Sequence, residues 1–514
     1  MRIGLYLGAA TLALATPAAA QWQQASSKHF VIYGNMPTEE MSAYAKKLET
    51  FDAAARLVRK MPDPTVGDGN RVQVLVVPTM LDVNRTLGDA QAGVGGYYMG
   101  TVTGPFIITP RKTRQILDYR KLAPETVFFH EYTHHLMLQS TNTPMPMWLT
   151  EGFAEFLANP IFNDDGSVSL GTPATHRMDA LLKGRWASLG DLIGGNQMTL
   201  AYNESSMANY AQGWLLNHYL SFDPSRRGQI DTYVGRLAKG EDSLTAARAV
   251  FGDLGTLDSQ LRAYVRQKKL PSLRIESSKL TIPPVTVTRL SPGADEVMPM
   301  RIHAKTGYGR VSTAYVYGKT SDIARRYPND LLVQRTLAEV AFDDKKYVEA
   351  EAAADAALKI DPRNTEAMIY RGRAVLARAK KAQDPTLFKQ ARQHFLAANK
   401  ADPEDPEALY LYYRTYRAAN QLAPKSAVDA LGYAVALAPR DTGVAVDLVM
   451  EHMRQKNWTA SADALRPIAY LPHTGQSTQN KALAVLKLLE ANQGPQALTM
   501  AEKEFLPKKD ENPN

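Results

Sequence analysis

The chain has 514 residues, 45% of them hydrophobic and 22% charged, a composition ordinary for a soluble globular protein of two to four domains. Its net charge of +8 comes from scattered Lys and Arg without an arginine-rich run, so it reads as a solvated surface and no nucleic-acid partner is expected. There is no Cys, which excludes disulfides, thiol catalysis and an N-terminal lipid-anchored Cys.

Residues 1–20 read as a signal peptide. Arg2 supplies a positive start, Ile3 to Thr16 is mostly apolar, and Ala18-Ala19-Ala20 gives the A-x-A cleavage pattern. The mature chain is expected to begin at Gln21 and to be exported, into the periplasm if the source is a two-membrane bacterium. No later stretch is long and apolar enough to span a bilayer.

Residues 21–270 carry the chemistry. Arg71 to Val77 reads as a buried strand. Gly95 to Gly100 then leads to a second strand, Pro105 to Thr109. A helix is expected from Pro124 to about Gln139, with Val127, Phe128, Leu136 and Leu138 as its apolar residues. On it lies His130-Glu131-Tyr132-Thr133-His134. Positions i and i+4 share one helix face, so both imidazoles can reach one Zn²⁺. Glu131 is turned about 100° from His130, beside the metal without ligating it, where it can act as a general base. His135 is turned away by the same rotation and reads as a bystander.

A polar, Pro-rich loop over residues 140–146 separates this helix from a second, expected from about Met147 to Asn159. Two helices joined by a short loop can pack together, which would return Glu151 to the metal as third ligand. Glu155, one turn on, lies on the same face as Glu151. It can accept the second ring N–H of His130. Further on, Asn209-Tyr210-Ala211-Gln212-Gly213-Trp214 opens an amphipathic segment.

Residues 271–320 are broken by Pro271, Pro283, Pro284 and Pro292. Val285 to Leu290 and Val311 to Tyr317 look like strand fragments, so a linker or a small β-element is expected. Residues 321–505 repeat. Prolines at 328, 362, 403, 439 and 472 recur at intervals of 34, 41, 36 and 33 residues, near the 34-residue period of the tetratricopeptide repeat. Small residues stand where such helices pack: Ala338, Ala350 and Ala357, then Gly372, Ala391 and Ala398 around Phe395, then Ala427 and Ala434. Residues 506–514 are polar and expected to be disordered.

The motifs His130-Glu131-x-x-His134 and Trp148-x-x-Glu151-Gly152-x-Ala154-Glu155 together resemble those of the gluzincin metallopeptidases, and more narrowly the bacterial peptidase MA-like domains. The resemblance implies an α+β thermolysin-like domain over residues 21–270, followed by an all-α tetratricopeptide solenoid. It implies His130, His134 and Glu151 as ligands of one Zn²⁺ and Glu131 as general base. Tyr210, in a Tyr-x-Gln-x-Trp run similar to that group's, is then the expected oxyanion donor. By the same analogy Phe106 to Thr109 would pair with an extended substrate. The expected activity is hydrolysis of a peptide or protein, with the repeats recruiting substrate or a protein partner. Two alternatives remain: an interaction scaffold with an inactive or merely zinc-stabilised domain, and a zinc amidase acting on cell-wall peptides.

Overall fold

One sheet, buried on both faces, joins the two halves of the chain. The computed structural model describes residues 21–89, 94–112, 123–140, 145–194, 208–469 and 476–506. The expected signal segment 1–20, loop residues 141–144 and the tail from 507 onward lie outside them.

The sheet is mixed and ordered β4-β5-β3-β2-β1-β9. Its strands are β1 (Gln23–Ser26), β2 (Phe30–Gly34), β3 (Val72–Thr79), β4 (Tyr97–Thr101), β5 (Gly104–Lys112) and β9 (Thr286–Arg289). β2, β3 and β5 are parallel; β1, β4 and β9 add antiparallel pairs. Between strands lie α1 (Thr38–Arg59), α2 (Met80–Thr86), α3 (Pro124–Ser140) and α4 (Met147–Leu157). β6 (Ile161–Phe162), β7 (Val168–Leu170) and β8 (Leu273–Ile275) form a separate small sheet.

Successive strand side chains point to opposite faces. Phe30, Ile32, Val72, Val74 and Ile107 therefore share one core with α1 and α3. Val31, Tyr33, Leu75, Val77, Phe106 and Ile108 form a second core on the other face. That second core is closed by Val297 and Met298 of helix Pro292–Lys305, Ile323 of Thr313–Arg326 and Val333 of Leu331–Asp343.

The segment 271–320 is thus more than a linker or β-element. β8 and β9 extend the two sheets, and Pro292–Lys305 and Thr313–Arg326 are helices that pack on the main one. Val311 to Tyr317, expected as a strand fragment, instead enters the second helix. Its β-branched and aromatic run resembles a strand, but Ser312 accepts a bond from the Tyr315 N–H as N-cap. Val316, Thr320, Ile323 and Ala324 then bury one helix face.

Phe106 to Thr109 also differs from expectation. β5 pairs with β3 on one side and β4 on the other, so neither edge is open to a substrate strand. The chain doubles back as the β4–β5 hairpin and makes β4 the edge.

After Leu331 the chain is a helical array. Asp330, Asn364, Asp384, Asp405 and Asp441 each cap a helix by accepting backbone N–H bonds. All of the small residues picked out by the repeat pattern are buried. At Gly372 a Cβ would lie 2.5 Å from the Phe395 ring, so only glycine lets those two helices approach so closely. The array touches the N-terminal half again further on. Asp402 accepts the Gly69 N–H at 3.0 Å, and Val102, at the tip of the β4–β5 hairpin, is buried among Leu409, Tyr413, Leu431 and Val444. Among the described residues no helix is long and apolar enough to cross a membrane.

Candidate metal centre

α3 lies against the sheet through Phe128, Phe129, Tyr132 and Leu136. His130 and His134, one turn apart, are both buried, and their rings are edge-on with centroids 4.8 Å apart. α4 follows α3 and is buried along almost its whole length. Its position is set by glycine: a Cβ on Gly152 would lie 2.3 Å from the Gly213 backbone, and one on Gly213 would lie 2.5 Å from the Trp148 carbonyl. That contact holds α4 against helix Gly213–Phe222 and against the π-helical turn Ala208–Gln212 before it.

The result is a tight group of three side chains. His130 Nε2 and His134 Nε2 lie 3.2 Å apart, and Glu151 Oε2 is 3.3 Å from the first and 3.4 Å from the second. Four-coordinate zinc with bonds of about 2.0–2.1 Å has ligand–ligand edges of about 3.3–3.4 Å. The triangle therefore matches one face of such a tetrahedron, and two imidazoles with a carboxylate are a suitable donor set. Glu131 stays off the triangle. Its side chain is 21% exposed, whereas those of His134 and Glu151 have no exposure.

Glu155 lies behind His130, with Oε1 3.5 Å from Nδ1. It also accepts bonds from His176 at 2.9 Å and Arg177 at 2.5 Å. Burial raises its pKa, but His176, Arg177 and His130 outweigh burial and hold it down at about 2. His176 and Arg177 were not singled out in the sequence; no motif or period marks them. Tyr210 sits in the π-helical turn with its ring centroid 5.7 Å from that of His130, and the Arg177 guanidinium lies 4.9 Å over the same tyrosine ring. Burial, together with Glu151 and Glu131, pushes the Tyr210 phenol up, so it remains a hydrogen-bond donor.

His135 faces elsewhere, as the helical rotation requires. Its Nδ1 meets the Tyr98 hydroxyl at 2.8 Å and its ring stacks on Tyr132. Burial and the cations Arg56, Arg440 and His29 hold it down at about 3, as neutral imidazole. A second buried group, His29, Glu49 and Asp52, is already satisfied internally. His29 pairs with Glu49 at 2.7 Å and Asp63 at 2.9 Å, while Asp52 accepts from Arg56 at 2.8 Å and from Tyr132 at 2.8 Å. Both ring nitrogens are thus hydrogen-bonded, Asp52 already carries an arginine, and its bond from Tyr132 ties the group to α3.

No family model matches the chain, and no curated protein matches it. Among solved structures, one titled "MamA RS-1 ArsTM double mutant" aligns over 39% of this chain and 97% of its own, at 21% identity and a TM-score of 0.26. A likeness that slight assigns neither fold nor activity.

Proposed function

We propose that this chain is a zinc-dependent metallopeptidase of gluzincin type. One observation carries the reading: residues from two helices converge as a triangle of zinc-ligand dimensions with a partly exposed glutamate beside it. His130, His134 and Glu151 would hold the ion. When bound, zinc supplies a Lewis acid and lowers the pKa of water in its open position towards 7.

The chain's own residues do the rest. Glu131 accepts the proton of the attacking water and returns a proton to the leaving amine. Tyr210 donates its O–H to the oxygen that gains charge, and Arg177 on its ring fixes the phenol's place. Glu155 holds His130 in orientation and is itself held by His176 and Arg177. No nucleophilic Ser or Cys is required. The apolar packing of α3 and α4 keeps the histidines and Glu151 from bulk water. Export remains part of the proposal on the strength of the pattern in residues 1–20.

Recruitment of a peptide or protein by the array is also proposed, with a size limit. Between the sheet and the inner face of the array lies a cavity of about 490 Å³, lined by Arg71, Gln73, Arg301, Arg335, Glu366 and Tyr370 among others. That volume admits a short extended segment and is too small for a folded domain.

Elemental analysis of purified protein should give about one zinc per chain. Native protein that is metal-free and cannot be reconstituted would contradict the proposal. Glu131→Gln should retain zinc and fold while losing hydrolysis.

A further inference from the structure

The helical array reaches the metal centre itself. Arg440 belongs to the turn between helices Lys425–Leu437 and Thr442–Arg454, far from the motif in sequence. Its guanidinium lies 5.1 Å over the Tyr98 ring, and its Nη1 is 4.0 Å from Glu131 Oε2. The side chain is only 13% exposed, and among the described residues Nη1 has no hydrogen-bond partner. A buried guanidinium N–H without a partner carries a desolvation cost unless a charge or a bound group answers it. Among the described residues, the carboxylate within 4.0 Å of Nη1 is that of Glu131.

The turn that carries Arg440 is fastened to the hairpin beside the site. Asp441 accepts the Val102 backbone N–H at 2.8 Å while also capping its own helix at Val444. Val102 is buried in the array's core, and Asn70 reaches the Leu437 carbonyl at 3.4 Å. Gly100 leaves room for the approach: a Cβ there would lie 2.7 Å from the Tyr98 hydroxyl oxygen and 3.0 Å from Arg440 Cβ. Tyr98, pinned by His135, and Arg440, pinned by Asp441, thus form one wall beside Glu131.

We infer that Arg440 is a positioning residue for Glu131, so that the hydrolytic site is complete only when the array is docked on the β4–β5 hairpin. The inference rests on the peptidase reading above. In it the fixed cation restricts the Glu131 carboxylate to the orientation in which it can take a proton. The array then acts in the turnover step as well as in recruitment, and whatever loosens the Val102–Asp441 latch slows turnover without removing the metal.

The test uses full-length, zinc-loaded protein and a peptide substrate that the wild type cleaves. Arg440→Ala should lower kcat by about 10- to 100-fold with KM changed less than about twofold and zinc content unchanged. Arg440→Lys should recover part of the loss, and added guanidinium ion should partly rescue Arg440→Ala. Asp441→Ala, which cuts the latch outside the site, should reproduce the kcat loss, and the double variant should be less than additive. A crystal structure of metal-free Arg440→Ala should show the Glu131 carboxylate spread over more than one rotamer. Unchanged kcat, a rise in KM alone, or a single unaltered Glu131 rotamer would overturn the inference. Failure of the underlying reading looks different: zinc-loaded wild type would cleave no peptide.

Discussion

Gly152→Ala tests how Glu151, the proposed third ligand, is placed. An added Cβ would stand 2.3 Å from the backbone carbon and oxygen of Gly213, where ordinary contact begins near 3.4 Å. Both partners are helical backbone, so the two helices must separate by about 1 Å; no flexible side chain can absorb the clash. Overpacking of this kind costs about 1–3 kcal/mol, and the upper end applies to a rigid neighbour. Replacing glycine by alanine inside a helix returns about 1 kcal/mol. The expected net loss is about 2 kcal/mol, read from urea unfolding of the metal-free protein. The same movement displaces Glu151 relative to nitrogens that now lie 3.3 and 3.4 Å from its oxygen. Zinc affinity, measured by competition with a chromophoric chelator, should fall at least tenfold. Stability within about 0.5 kcal/mol of wild type together with unchanged zinc affinity would refute the claim that the Gly152–Gly213 contact positions the ligand.

Other consequences follow from the same geometry. Glu151→Ala should lose zinc, and full occupancy in that variant would remove Glu151 from the ligand set. Tyr210→Phe should keep zinc but lower kcat by roughly 10²- to 10³-fold, as expected for an oxyanion donor; an unchanged kcat would leave Tyr210 as a packing residue. Burial, with Glu407 and Asp402 nearby, pushes Asp405 up to about 7. The folded state then keeps a proton that the unfolded state has already lost, so stability falls as pH rises from about 4 to about 7. The effect is at most about 4 kcal/mol. Asp405→Asn can keep the cap to Glu407 and Ala408 while removing that dependence. It should flatten unfolding free energy against pH and be more stable than wild type at pH 8. An equal slope in both proteins would show that Asp405 titrates normally.

The convergence of His130, His134 and Glu151 was legible because its logic is local. A four-residue spacing puts two histidines on one face, and a short connection returns the next helix alongside. The repeat was legible for a similar reason: close helix packing demands small residues at fixed intervals, and Gly372 against Phe395 shows the demand at work. What the sequence concealed is contact between distant segments. His176 and Arg177 reach Glu155 from 21 and 22 residues away with no periodic signature. Asp441 meets Val102 across 339 residues. Strand propensity misled at Val311 to Tyr317, where a cap and a helical burial pattern outweigh β-branched and aromatic composition. The internal place of Phe106 to Thr109 depended on a hairpin that no pairing rule specified beforehand.

The proposed activity is hydrolysis by Glu131 at a zinc held by His130, His134 and Glu151. It is tested most directly by a peptide-library cleavage profile of wild type against Glu131→Gln, both at one zinc per chain. Wild type should cleave a defined set of bonds, and the variant should cleave none of them. Equal cleavage by the two proteins, or none by either, would contradict it.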